Sequence, residues 1–199
     1  MELIICPLSE LNAGLARQPA RVLSLLSPGT PAPVCPGIAP PCHLVLEFHD
    51  IISPQAGLRA VQPADIAAII AFAQGWDGTA PLLVHCWAGI SRSTAAAYII
   101  VCLLGADEHA AAQALRAAAP QATPNARMIA LADAQLGCAG RMVGAITAIG
   151  RGAEAAQGEL FSLAVSTGPA ARRIPHSTGR SRHARAAPCP ADDSPLNNA

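Results

Sequence analysis

Four short apolar runs constrain this chain more than anything else in it. Residues 2–6 (ELIIC), 21–26 (RVLSLL), 44–49 (LVLEFH) and 81–85 (PLLVH) are each of strand length. They are nearly continuous in apolar character, as strands covered on both faces are. The segments between and after them have helical character. One starts at Ser9 and runs to about Arg17. Another spans 63–75, opening with Pro63 and closing with Gly75, the usual punctuation of a helix. Two more cover 93–104 and 107–118. The last begins at Thr123-Pro124-Asn125 and continues past Leu136 toward Ile149, with a break near Gly137 or Gly140. Strands alternating with helices predict an α/β domain, with a central, mostly parallel sheet of about four to five strands flanked by helices.

At 199 residues the chain is long enough for one well-buried domain. Residues 28–42 form a proline-rich loop without periodicity, and from Ser166 onward Pro, Ser, Arg, Ala and Asn replace any apolar period. The expected division is a domain over 1–165 and a disordered tail over 166–199, whose arginines read as solvated. Lys and Arg total 13, against 13 Asp and Glu, and every one of the basic residues is arginine. A net charge of zero gives no whole-protein field toward nucleic acid or an anionic membrane. The run TAAAYIIVCLLGA is shorter than the roughly 18 residues of a membrane span. The N-terminus has Glu2, Pro7 and no basic stretch, unlike a secretory signal. A cytoplasmic protein is the expectation. Seven scattered cysteines without a CxxC suggest neither a disulfide framework nor zinc. Cys35, Cys42 and His43 lack a fourth ligand and read as loop. No metal or cofactor is expected.

Chemistry concentrates in residues 82–94, LLVHCWAGISRST. With 7 cysteines and 13 arginines, about 0.5 Cys-x5-Arg pairs are expected by chance, so the spacing alone says little. Its context says more. The fourth apolar run delivers Cys86 to the C-terminal edge of the sheet, where ligands bind in open α/β folds. Gly89 permits a tight loop, and Ser93 and Thr94 are candidate caps for the helix that follows. A loop winding into a helix N-terminus aims several N–H groups at one point, a cradle for a tetrahedral dianion. Cys86 then reads as a sulfur nucleophile and Arg92 as a bidentate clamp on phosphate oxygens, a grip lysine cannot supply.

The stretch HCWAGISRST closely resembles the H-C-x5-R-[ST] signature of the cysteine-dependent protein tyrosine phosphatases, and is most similar to the dual-specificity type. LRAAAPQATPN, 115–125, resembles the helix and Pro-Asn turn that follow in that group. The likeness covers roughly residues 40–137. It implies Cys86 as nucleophile and Arg92 as phosphate clamp. Ser93 would stabilise the departing thiolate, and His85 would orient the loop. Residues His85, Trp87, Ala88, Gly89, Ile90, Ser91 and Arg92 would form the phosphate-binding loop. The implied function is a metal-independent phosphomonoester hydrolase acting on phosphotyrosine or phosphoserine/threonine through a phosphocysteine intermediate. Its substrate would be a phosphorylated protein or a small-molecule phosphate. A phosphoinositide phosphatase and a non-catalytic phosphate-binding module are the alternatives. No loop residue other than Arg92 is basic, which disfavours the first, and the latter would normally lack one of the key residues.

Such a reaction needs a proton donor for the leaving oxygen. Asp77 precedes the fourth run, and five residues at ~3.3 Å each put it about 15 Å from Cys86. Glu47 lies within a strand, and Asp65 falls in the first turn of a helix, where a carboxylate is stabilised anyway. Asp50 follows the third run at the same sheet edge as Cys86 and opens a loop, as the acid does in the resembled family. It is the assigned acid. Asn125 reads as a helix start, His49 as an ordinary strand-end histidine, Trp87 as a flank of the pocket mouth, and Cys102 as core.

Overall fold

A computed structural model describes residues 1–165; the expected tail, 166–199, lies outside the described residues. The four apolar runs form strands β1 (Glu2–Pro7), β2 (Arg21–Leu26), β3 (His43–Glu47) and β4 (Leu82–Cys86). The helices are α1 (Leu11–Leu15), α2 (Pro63–Gln74), α3 (Arg92–Leu103), α4 (Glu108–Ala118), α5 (Ala126–Leu136) and α6 (Arg141–Ile149). A fifth strand, β5 (Phe161–Ala164), closes the described chain. The sheet order is β3-β2-β4-β1-β5, parallel except for β5, which runs antiparallel to β1. This is the mostly parallel α/β sheet expected. Two local expectations change. The first helix is a 3-10 turn (Leu8–Glu10) followed by the short α1, and β5 was not read from the sequence at all.

Alternation along the strands divides the sheet into unequal faces. Leu3, Ile5, Leu23, Leu25, Leu82, Val84 and Cys86 point into the larger core with α3. Ile4, Cys6, Val22 and Leu83 point the other way, into a small cluster with Leu11 of α1 and Cys35. Every residue of α3 is buried, because the helix packs on β1 and β4 and is enclosed by α2, α4 and α5. Its sequence, RSTAAAYIIVCL, is apolar on all sides after its first turn, as such a position requires. No helix among the described residues is long and apolar enough to cross a membrane.

Helix boundaries follow side-chain chemistry. At α2, Gln62 and Asp65 form a capping box around Pro63, and Asp65 also pairs with Arg59 at 2.7 Å. The break between α5 and α6 begins at Gly137, left-handed at φ +65. Buried Asp133 then accepts from the N–H groups of Gly140 (2.7 Å), Met142 (2.8 Å) and Val143 (3.4 Å), tying the end of α5 to the start of α6.

The thin face holds a polar pair. His85 and Ser24 are in register on β4 and β2, both fully buried. His85 Nε2 lies 2.6 Å from Ser24 Oγ, which lies 2.8 Å from Nε2 of half-buried His43. Burial, and then the neighbouring His43, push the His85 imidazole down to about 4.

Two predictions follow from these contacts. Asp133→Ala leaves the N–H of buried Met142, with those of the more exposed Gly140 and Val143, without its acceptor and is expected to cost about 1–3 kcal/mol in urea unfolding. The second concerns pH. Folded His85 takes up its proton below the ordinary 6.5, so on acidification the unfolded chain protonates first. Its contribution is complete above pH 6.5 and is lost as pH falls toward 4. Unfolding free energy should drop by about 2 kcal/mol between pH 7 and pH 5, and the slope should flatten in His85→Asn. A pH-independent unfolding midpoint over that range would refute it.

Candidate active site

The loop 86–92 joins β4 to α3, and its backbone carbonyls decide its shape. Trp87 O accepts from Leu8 N (3.2 Å) and Ala88 O from Gly158 N (2.8 Å). Ile90 O accepts from Thr123 N (3.0 Å), and Ser91 O from Asn125 N (3.4 Å). Thr94 Oγ1 donates to Ile90 O (2.5 Å) and Ser91 O (2.9 Å). None of these partners lines the hollow beside Cys86. In a trans peptide the C=O and the following N–H point oppositely, and no peptide here is cis. The N–H groups of Ala88, Gly89, Ser91 and Arg92 therefore turn inward. Gly89 N reaches Cys86 Sγ at 3.3 Å. Gly89 is required twice over: its φ is +71, and a Cβ there would lie 2.7 Å from Pro7 N.

Ser93 and Thr94 do not cap α3 as the sequence suggested. The helix begins at Arg92, so both lie inside its first turn. Ser93 Oγ instead sits 3.2 Å from Cys86 Sγ, while Thr94 secures loop carbonyls. Ser91, the N-cap, makes no side-chain cap, so the helix-end amides are not consumed by a hydroxyl.

Cys86, at 2% exposure, lies at the base of an open pocket of ≈ 530 Å³. The pocket is lined by Ser27, Asp50, Cys86, Trp87, Ala88, Ile90, Ser91 and Arg92. Arg92 is buried. Its Nη1 donates to Phe48 O (2.8 Å) and Ser27 Oγ (3.3 Å), while its Nε–H has no hydrogen-bond partner among the described residues. A buried guanidinium edge with an unspent donor suits an anionic oxygen.

Asp50 stands at the rim, where the sheet edge brings the end of β3 beside those of β2 and β4. Its Oδ1 accepts from Ser91 Oγ (2.7 Å) and Asn125 Nδ2 (2.7 Å). Its Oδ2 lies 3.8 Å from Arg92 Nε. Asn125 caps α5 through Met128 N (3.1 Å), so its amide both starts a helix and holds the carboxylate. Of the other acids, Asp65 is engaged at α2, Asp77 bonds Thr79, and neither lines the pocket. His49 Nδ1 accepts from Arg59 N (3.0 Å), bracing the loop that carries Asp50.

Cys86, Arg92, Asp50 and Ser93 thus converge, with Trp87, Ala88, Ile90 and Ser91 around them. Trp87 lines the pocket at 65% exposure, and Cys102 is buried in the core. His85 is the exception within the expected loop. The strand pleat turns its side chain to the thin face, away from the pocket. Sequence reasoning missed Ser27, the Phe48 carbonyl and the Asn125–Asp50 contact. Ser27 directly follows β2 at this same sheet edge, a signal available beforehand; the other two contacts have no sequence signal.

No family model matches the sequence, and no curated protein is found as a relative. Solved structures do resemble it. The crystal structure of human DUSP28 matches with a TM-score of 0.52 at 21% identity, covering 66% of this chain and 89% of that one. The crystal structure of DUSP15 matches with a TM-score of 0.51 at 19% identity, covering 74% and 89%. The chain accordingly shares its fold with these two dual-specificity phosphatase structures.

Proposed function

We propose that this protein hydrolyses phosphomonoesters on tyrosine or on serine and threonine through a phosphocysteine intermediate. The observation that carries this reading is the Cys86 sulfur beneath a ring of inward-facing amides, with the unspent Nε–H of Arg92 buried in the same pocket. The cradle accepts the equatorial oxygens of a phosphoryl group, and Arg92 neutralises their charge. The Cys86 thiolate attacks phosphorus in line, forming the S–P bond as the ester P–O bond breaks. Asp50 gives its proton to the departing oxygen. The oxygen that accepts no short hydrogen bond, Oδ2, carries that proton. Water then attacks the phosphocysteine and passes a proton back to Asp50. The S–P bond breaks, and Ser93 Oγ–H donates to the returning thiolate. Among the described residues, Arg92 is the sole guanidinium lining the pocket, which matches a single phosphate better than the several of a phosphoinositide.

Hydrolysis of an aryl phosphate, a phosphopeptide panel and phosphoinositides, compared side by side in chelator, tests the substrate class. Cys86→Ser should abolish turnover and leave vanadate or tungstate binding, since most of the cradle is backbone. Residual turnover above a few per cent would remove Cys86 as nucleophile.

Asp50→Asn should depend on the leaving group. With simple alkyl or phenyl phosphates kcat should fall by about 10²–10⁴-fold, and with an activated aryl phosphate by much less. Equal losses on both substrates would show that another group donates the proton.

A further inference from the structure

The two tryptophans of this chain have opposite surroundings. Trp76 is 4% exposed, and its Nε1–H donates to Ala80 O at 2.8 Å. Trp87 is 65% exposed and lines the pocket that holds Cys86. Most of a tryptophan's surface is indole, so the open surface here belongs mainly to the ring. An indole has roughly 150–250 Å² of largely apolar area to cover, and folded chains bury most of it. The root of the ring is fixed, by contrast. Trp87 O accepts from Leu8 N (3.2 Å) and Ala88 O from Gly158 N (2.8 Å). A large apolar ring is thus anchored beside the pocket and left facing water.

The geometry of attack says what would meet that ring. In-line displacement puts the departing oxygen opposite the sulfur. Cys86 is at the base of the pocket, so the group carried by that oxygen extends outward along the pocket wall. The polar part of the wall is Ser27, Asp50, Ser91 and Arg92, and of its apolar residues only Trp87 is a large exposed surface. Trp87 is rooted one residue from the sulfur. Its ring is uncharged and adds nothing to the neutralisation of a phosphate. It offers a flat apolar face. A tyrosine phosphate carries an aromatic ring on the ester oxygen itself. A serine or threonine phosphate carries a single tetrahedral carbon there, and then the peptide. Only the aryl ester brings a second flat ring to the wall, and two rings attract beyond the area they cover.

We infer that Trp87 determines the specificity of this site. Its indole packs against the ring of an aryl phosphomonoester, phosphotyrosine in a protein, and makes aryl esters the preferred ligands over alkyl esters such as phosphoserine. The inference rests on the reading of residues 86–92 as a phosphate cradle. The ring of the substrate changes no bond during the reaction. The contact therefore holds ground state and transition state alike, and its loss appears in KM rather than in kcat.

Benzylphosphonate and propylphosphonate test this without turnover, since each puts a methylene where the ester oxygen would stand. In calorimetric titrations of the full chain, benzylphosphonate should bind about tenfold more tightly than propylphosphonate, the scale of one aromatic pair. Trp87→Ala should bring the two within about twofold and leave propylphosphonate unchanged. Trp87→Phe, which keeps a ring, should restore most of the preference. In turnover, Trp87→Ala should raise KM for an aryl phosphate about tenfold at unchanged kcat. Equal affinity of the unaltered protein for the two phosphonates, or binding of neither, overturns the inference even if Trp87→Ala fails to fold. So does a folded Trp87→Ala protein that keeps the preference; if that variant also loses a dimer, the ring belongs to a contact between copies. Hydrolysis of aryl phosphates without a phosphonate preference would remove this inference and leave the proposed function. A protein that prefers benzylphosphonate in a Trp87-dependent way but hydrolyses no phosphate ester would remove the proposed function and leave the aryl subsite standing.

Discussion

The loop after β4 depends on where its carbonyls go. Five backbone N–H or hydroxyl donors from four different parts of the chain, Leu8, Thr94, Thr123, Asn125 and Gly158, hold the carbonyls of residues 87, 88, 90 and 91 outward. Peptide geometry then turns the N–H groups the other way. One of them, Gly89 N–H, reaches the Cys86 sulfur at 3.3 Å. The satisfied outer face of the loop makes its polar inner face tolerable. Much of the fold can be read as scaffolding for that arrangement. The 3-10 turn after β1 supplies Leu8, and the end of β1 supplies the close wall at Pro7 that admits only Gly89. The turn between α4 and α5 supplies Thr123 and Asn125, and the connection from α6 to β5 supplies Gly158.

The same logic separates the two faces of the sheet. Cys86 and His85 are neighbours in sequence and opposite in direction, because successive residues of a strand alternate. Cys86 joins the large, helix-covered face and opens onto the pocket. His85 falls on the thin face, where a core of few side chains leaves room for Ser24, itself bonded to His43, to satisfy its Nε2. Burial keeps this imidazole neutral at neutral pH.

Asp50 illustrates how a single residue couples separate elements. Its carboxylate takes hydrogen bonds from Ser91 of the loop and from Asn125 at the start of α5, and it faces Arg92. Asn125 is committed at both ends of its amide, to Met128 N and to Asp50. The carboxylate is therefore oriented by a helix cap some 75 residues away in the chain. Arg92 is positioned in the same manner, by the Phe48 carbonyl and Ser27 at the ends of neighbouring strands. The ends of β2, β3 and β4 meet at one sheet edge, so residues scattered from 27 to 125 share one pocket.

Local pattern determined a good deal. The apolar runs named four of the five strands, and the Pro63–Gly75 and Gly137–Gly140 punctuation fixed α2 and the α5–α6 break, since turns and caps are short-range chemistry. The spacing from Cys86 to Arg92 at a strand-to-helix junction, and the location of Asp50 at a strand end, were legible because sheet edges gather such positions. Tertiary structure alone decided the rest. β5 is four residues long and owes its form to pairing with β1, a partner more than 150 residues away. Ser93 and Thr94 look like caps locally, yet the sulfur and the loop carbonyls claim them. Asn125 reaches Asp50, and Ser24 reaches two histidines, only because the sheet register and the turn before α5 bring them together. Hydrogen bonds between distant residues leave no periodicity in a sequence, and they are what set the direction of each amide and imidazole around Cys86.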